Sequence, residues 1–196
     1  MSRGRILVVD LDLHDGEGTR HIYREDDTVH TFSIHNRDLG DTVAIASTSV
    51  ALGTDVGDRT YLAAIREHLP RVFAEVKPDL VYYLAGADPW VEDRLGDWRV
   101  TLDGLLERDR LVIDLVRDAK RVKVPTVILL AGGYGRHAWR HGAAFFSWLL
   151  SGNADLDIPP ELESIVLSCL EKDPDRRPQS AEDLARRLDA DATGAE

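Results

Sequence analysis

Asp10, Asp12 and His14 alternate with Leu11 and Leu13 at the end of the apolar run Ile6-Leu7-Val8-Val9. In an extended strand, residues i, i+2 and i+4 share one face. The spacing therefore predicts two carboxylates and an imidazole side by side where a buried strand ends. Val9, Leu11 and Leu13 point the other way, into a core. Like-faced polar groups at such a place are costly unless something compensates them. A divalent cation does so, because aspartate oxygen and imidazole nitrogen are both zinc ligands.

Short apolar runs at about 5–11, 29–34, 79–84 and 125–131 read as buried strands, each rich in Val, Ile, Leu or Tyr and bounded by polar or Gly/Pro signals. Between them, residues 59–76 set Leu62, Ile65, Leu69, Val72, Phe73 and Val76 on one helical stripe, and residues 103–121 do the same with Leu105, Val112, Leu115, Val116 and Ala119. Strands alternating with helices predict an α/β domain with a mainly parallel sheet and flanking helices. In such sheets, sites gather at the carboxyl ends of strands. Those ends carry Asp12 and His14, Ser33 to His35, Asp88, and Gly132-Gly133-Tyr134.

The 196 residues allow one domain with a real core and a small appendage. The net charge of −11 argues against a nucleic-acid-binding surface. No apolar run matches a membrane span and no secretory signal opens the sequence. With Cys169 alone, no intrachain disulfide forms, and the expected setting is reducing and cytoplasmic.

Composition changes near residue 150, so the expected organisation is an α/β domain over 1–150 and a helical hairpin over 155–190. In the hairpin, Pro160 suits a first helical position, and Ser180 with Asp183 resembles a capping box.

Five segments, in order, resemble the second half of the zinc-dependent histone deacetylase and acetylpolyamine amidohydrolase family. They are Val9-Asp10-Leu11-Asp12-Leu13-His14-Asp15-Gly16-Glu17-Gly18-Thr19, Thr31-Phe32-Ser33-Ile34-His35, Leu84-Ala85-Gly86-Ala87-Asp88-Pro89-Trp90, Asp93-Arg94-Leu95-Gly96 and Gly132-Gly133-Tyr134. The wording is closest to bacterial relatives of the class IV deacetylases. The resemblance implies the arginase–deacetylase fold, truncated on its N-terminal side. It implies Asp12, His14 and Asp88 as zinc ligands, leaving a position open for water and the substrate carbonyl. It also implies Tyr134 as the oxyanion donor and Asp10 as the residue that orients a catalytic histidine. Ser33 and Ile34, with Asp10, Asp12 and His14, match a structural potassium site; Tyr23, Asp26 and Val29 match an outer monovalent-cation site. The implied substrate is an acetylated lysine or polyamine. A dimanganese, arginase-like site is not implied, since no paired aspartate accompanies Asp88.

The sequence also departs from the family. Its members carry an adjacent His-His pair in their first half, one of which serves as general base, and this sequence has none. Glu17 stands where an aspartate usually supports the second histidine. General acid–base help is worth about 10²–10⁴ in rate. Three readings therefore stand together: a deacetylase-like hydrolase, one half of a split deacetylase completed by a partner chain, and a non-catalytic metal-binding or interaction module. A missing first half would expose a sheet edge, to be covered by a partner chain or a second copy. His137 and His141 have zinc-like spacing, but no third ligand is evident, and packing roles are expected. The tail from Ile158 to Ser180 resembles the last helices of bacterial Ser/Thr protein kinases, with Arg177 matching an arginine of that family. The kinase nucleotide loop and catalytic loop are absent, so no kinase activity is expected.

Overall fold

The computed structural model describes residues 4–118 and 124–154, and in the tail 164, 168–169, 173–180, 182–183 and 185–186. The chain divides into two compact units, 1–154 and 155–196. In the first, β1 (Ile6–Asp10), α1 (Glu17–Ile22), β2 (Val29–His35), β3 (Ser47–Ala51), α2 (Asp58–Val76), β4 (Leu80–Leu84), α3 (Leu102–Asp118), β5 (Thr126–Leu129) and α4 (Ala138–Ser151) follow in order. The strands form one sheet in the order β3-β2-β1-β4-β5, every neighbouring pair parallel.

This order fixes where a site can form. The chain builds outward from β1 to β2 and β3, then returns through α2 to place β4 on the other side of β1. The β1–β4 junction is therefore the topological switch point, and in open α/β sheets sites form there at the carboxyl ends of the strands.

Leu7, Val9, Phe32, Ile34, Val81 and Tyr83 form the buried side of the sheet with Leu62, Ile65 and Leu69 of α2 and Leu105 and Val112 of α3. Each such side chain contributes about 1.5–3 kcal/mol relative to exposure. α2 runs 19 residues despite Pro70, whose exposed position lets the lost backbone bond face water. It stops at Lys77, in the left-handed region at φ 50°, and Pro78 bars continuation.

The opposite side of the sheet is less well covered. Val8, Tyr82 and Val127 lie in one register row, and Asp10, Leu84 and Leu129 in the next. Val127 is 39% exposed, Leu129 44% and the following Leu130 57%. Among the described residues, β5 pairs only with β4, so its outer edge carries unpaired backbone groups.

Among the described residues of the first unit, the expected strands and helices are present, with small shifts. β1 ends at Asp10, earlier than the alternation predicts, and Asp12 and His14 lie in the bend that follows. The burial alternation still persists: Leu11 and Leu13 are fully buried, while Asp12 and His14 are half-buried. β3 was not anticipated, because Ser47-Thr48-Ser49 at a sheet edge carries no apolar pattern. α1 was missed for a similar reason, being short and charged. The 155–190 hairpin lies largely outside the described residues. Within it, a 3-10 turn spans Pro174–Arg176, and the Asp183 N–H donates to Ser180 Oγ at 3.0 Å.

Candidate metal centre

Asp12 and His14 follow β1, and Asp88 follows β4, so all three stand at the switch point. One potential ligand atom from each lies within 4.8 Å of the others. His14 Nδ1 is 3.0 Å from Asp88 Oδ2 and 3.3 Å from Asp12 Oδ1. The remaining carboxylate oxygens are held by backbone amides. The Leu13 N–H donates to Asp88 Oδ1 at 3.0 Å, and the Gly132 N–H donates to Asp12 Oδ2 at 2.8 Å. Ala87 N–H donates to the Gly132 carbonyl at 2.6 Å, so the loops after β1, β4 and β5 are tied into one frame.

Two glycines make room for that frame. A Cβ at Gly132 would collide with both the Asp12 and Asp88 carboxylates, and a Cβ at Gly86 would meet Asp12 Oδ2 at 2.7 Å. The backbone comes this close only because neither residue has a side chain.

The electrostatics suit a cation. Burial pushes the Asp88 carboxyl up to about 7, and the neighbouring Asp12 charge adds to it. Burial, then the Asp12 charge, likewise pushes Asp10 up to about 7. At His14, burial disfavours the imidazolium, but the charges and hydrogen bonds of Asp88 and Asp12 outweigh it and raise the pKa. Carboxylates crowded out of water beside an imidazole fit a divalent metal's needs: anionic oxygen and neutral nitrogen on one point. The donor set and the glycine cradle therefore fit zinc.

Asp10 is adjacent to this cluster but outside it. Its Oδ1 accepts from the Asp12 N–H at 3.2 Å, and Gly16 packs against its other oxygen. Asp10 pairs in register with Ser33, so the two side chains share a face. Ser33 Oγ lies 2.9 Å from His35 Nδ1 and accepts from the Gly16 N–H at 3.4 Å; Ile34 is fully buried. In the 23–29 turn, the Asp26 N–H donates to the Tyr23 carbonyl at 3.0 Å, and Asp26 Oδ1 accepts from Thr28.

Tyr134 is 54% exposed and follows Gly133, whose φ of 149° favours glycine. Its loop is clamped by Asp93. Asp93 Oδ2 accepts from the Tyr134 and Gly135 N–H groups at 2.5 and 3.0 Å, while Oδ1 accepts from Leu95 and Gly96 at 2.8 and 3.0 Å.

A second cluster, Asp15, His35 and Asp38, also brings potential ligand atoms together. There Arg20 already supplies the positive charge: its Nη1 and Nη2 donate to the two Asp15 oxygens at 2.9 and 2.8 Å. Burial alone would raise the Asp15 pKa, yet the Arg20 hydrogen bonds and the Leu39 amide hold it below the usual value. Glu17 accepts from the Thr42 hydroxyl at 2.6 Å. His137 and His141 go to different places. His137 lies 3.3 Å from Glu92 at the surface, and His141 is buried 2.6 Å from Asp109.

Asp93 stands in one of the family-like segments but carries no role there, and nothing in the motifs marks Arg108 or Asp109. The last two carried a usable signal, since they fall between Leu105 and Val112 on the apolar stripe of α3. A charged pair on a buried face predicts a satisfied internal network.

The histone deacetylase domain family matches residues 1–148. An uncharacterised Picosynechococcus protein is 38% identical over 149 residues, covering 71% of this chain and 49% of its own length. Histone deacetylase 6 of Caenorhabditis elegans is 33% identical over 114 residues, covering 50% of this chain and 12% of its own. Among solved structures, an acetylpolyamine aminohydrolase from Burkholderia pseudomallei superposes with a TM-score of 0.62 at 22% identity, covering 74% of this chain and 44% of that one. A histone deacetylase homologue complexed with SAHA gives 0.61 at 22% identity, over 84% of this chain and 46% of that one. These likenesses establish the arginase–deacetylase fold. The chain spans about half the length of the first of these relatives, or less of the others.

Proposed function

We propose a function from one premise: this chain belongs to the histone deacetylase domain family. The reading is a zinc-dependent, deacetylase-like amidohydrolase for an acetylated amine, either acetyl-lysine or an acetylpolyamine. The observation that carries it is the convergence of Asp12, His14 and Asp88 at the switch point, with glycine backbone packed around them.

In this reading, Asp12, His14 and Asp88 hold the metal. Bound zinc supplies Lewis acidity, polarising an amide carbonyl and making water a better nucleophile at neutral pH. The chain's own part is positional and electrostatic. Leu13 and Gly132 amides fix the carboxylates, and Asp93 fixes the loop from which the Tyr134 hydroxyl donates to the developing oxyanion. Removing one such donor costs about 10²–10³ in rate. Asp10 is the proposed orienting residue for a histidine. Ser33 and Ile34, with Asp10, Asp12 and His14, are the proposed potassium surround, and the turn carrying Tyr23, Asp26 and Val29 is the outer one.

The sequence contains no adjacent histidine pair to act as base. A second reading follows: the chain is one half of a split deacetylase, and a partner chain supplies the histidines. The exposed Val127, Leu129 and Leu130, beside the edge of β5 that no other described strand pairs with, favour it, since a strand added there would cover them. A non-catalytic metal-binding module is the third reading. The proposed organisation remains a 1–150 deacetylase-like domain and a 155–190 tail, and the proposed location is cytoplasmic. Among the described residues, no helix is long and apolar enough to cross a membrane.

Zinc-loaded protein is tested on an acetyl-lysine peptide and acetylspermidine. Turnover abolished by Asp12→Ala and strongly reduced by Tyr134→Phe supports the hydrolase. Folded protein with no turnover above the Asp12→Ala background overturns it as a stand-alone enzyme.

A further inference from the structure

Arg108, on α3, is fully buried. A guanidinium in that position needs a counter-charge and hydrogen bonds for its donors. Asp109 provides the first, with Oδ1 at 3.0 Å from Nε and 2.9 Å from Nη2. Asp109 is itself held by the Tyr83 hydroxyl and by His141 at 2.6 Å. Arg108 Nη2 also lies 3.1 Å from His141 Nε2.

Nη1 serves neither of these groups. It donates to the Leu11 carbonyl at 3.2 Å and to the Gly86 carbonyl at 2.6 Å. Leu11 immediately precedes the ligand Asp12, and Gly86 lies two residues before the ligand Asp88. The β1–β4 ladder stops at the Asp10–Leu84 pair, with one further bond from the Leu11 N–H to the Leu84 carbonyl. Past that point the two ligand-bearing segments have left the sheet, and Arg108 bridges them with one nitrogen.

We propose that Arg108 is a positioning residue that sets the separation of the 11–14 and 86–88 segments, and through it the ligand geometry of Asp12, His14 and Asp88. The proposal rests on the metal-centre reading for its functional meaning, but the positioning is separately measurable. Lysine cannot replace the side chain. A single ammonium lacks the planar fork that faces Asp109 and two carbonyls at once. Tyr83→Phe is the matched control: it loosens the same buried carboxylate while leaving both carbonyl bonds in place.

The test is amide hydrogen exchange at Leu13 and Gly132, the donors to Asp88 and Asp12, in the full chain and in Arg108→Lys and Tyr83→Phe. Rates are referred to the Val81 amide within β4, so that a general loss of stability cancels. Arg108→Lys is expected to speed Leu13 and Gly132 by about tenfold relative to Val81, as loss of a charge-assisted bond does; Tyr83→Phe is expected to leave the ratio unchanged. Unchanged ratios in Arg108→Lys, or an equal rise in Tyr83→Phe, overturn the proposal. Cobalt(II) titration of the same proteins, read by visible absorption, separates the two claims. A wild-type spectrum that does not depend on Asp12 sinks the metal reading, while the exchange ratios still decide the role of Arg108. An Asp12-dependent spectrum that weakens about tenfold in affinity in Arg108→Lys, but not in Tyr83→Phe, supports both.

Discussion

The Gly132 N–H donates to Asp12 Oδ2 at 2.8 Å across 120 residues of sequence. The loop after β5 thus orients a proposed ligand that follows β1. A Cβ at residue 132 would collide with that carboxylate and with Asp88. Gly132→Ala is therefore expected to lower cobalt affinity at least tenfold while the protein still melts cooperatively. Gly18→Ala is the contrast: it lies in α1 with open space around it. There alanine should gain about 0.5–1 kcal/mol in a urea titration.

Asp93 accepts four backbone amides from two loops. Asp93→Asn puts an amide donor opposite one pair of N–H groups. The expected loss is about 1–3 kcal/mol of stability. Faster exchange of the Gly135 amide would show that the Tyr134 loop is what loosened; an unaltered Gly135 rate would count against the clamp.

Asp109 gives a pH signature. Burial alone would raise its pKa, but Arg108 and the His141 and Tyr83 hydrogen bonds hold it below the usual carboxylate value. A depressed folded pKa contributes stability that is present above the unfolded value of about 3.9 and lost as pH falls through the folded one. Asp109→Asn is therefore expected to cost about 3–5 kcal/mol at pH 7. That gap should stay flat down to about pH 4, then narrow in urea titrations below it. A gap that closes between pH 7 and 5 would refute this assignment.

Val127 and Leu129 share the less covered side of the sheet at an edge that, among the described residues, has no pairing strand. Replacing both by lysine should change stability by less than about 0.5 kcal/mol per site, as for exposed positions. It should also abolish any concentration-dependent association seen by sedimentation, because charged edges resist pairing. Association that survives the double substitution would place the contact elsewhere.

Much of this protein is legible in its sequence because burial leaves periodic marks. The strands near 5–11, 29–34, 79–84 and 125–131 and the helix near 59–76 announce themselves by apolar runs and stripes. The Asp10-Asp12-His14 spacing by itself marks a polar exit from an apolar strand. β3 stays hidden, since an edge strand of Ser47-Thr48-Ser49-Val50-Ala51 is specified by its neighbour β2 rather than by its own hydrophobicity. Tertiary structure alone decides that Asp88 meets Asp12 and His14, because only the return of α2 to the far side of β1 brings the two strand ends together. It alone decides that Arg20 satisfies Asp15, so that one acidic cluster is neutralised while the other still offers its oxygens to a cation. Sequence order carries the periodicity that each element needs to bury itself. Which charge ends up beside which depends on contacts between residues far apart in the chain, and those exist only once the sheet is assembled.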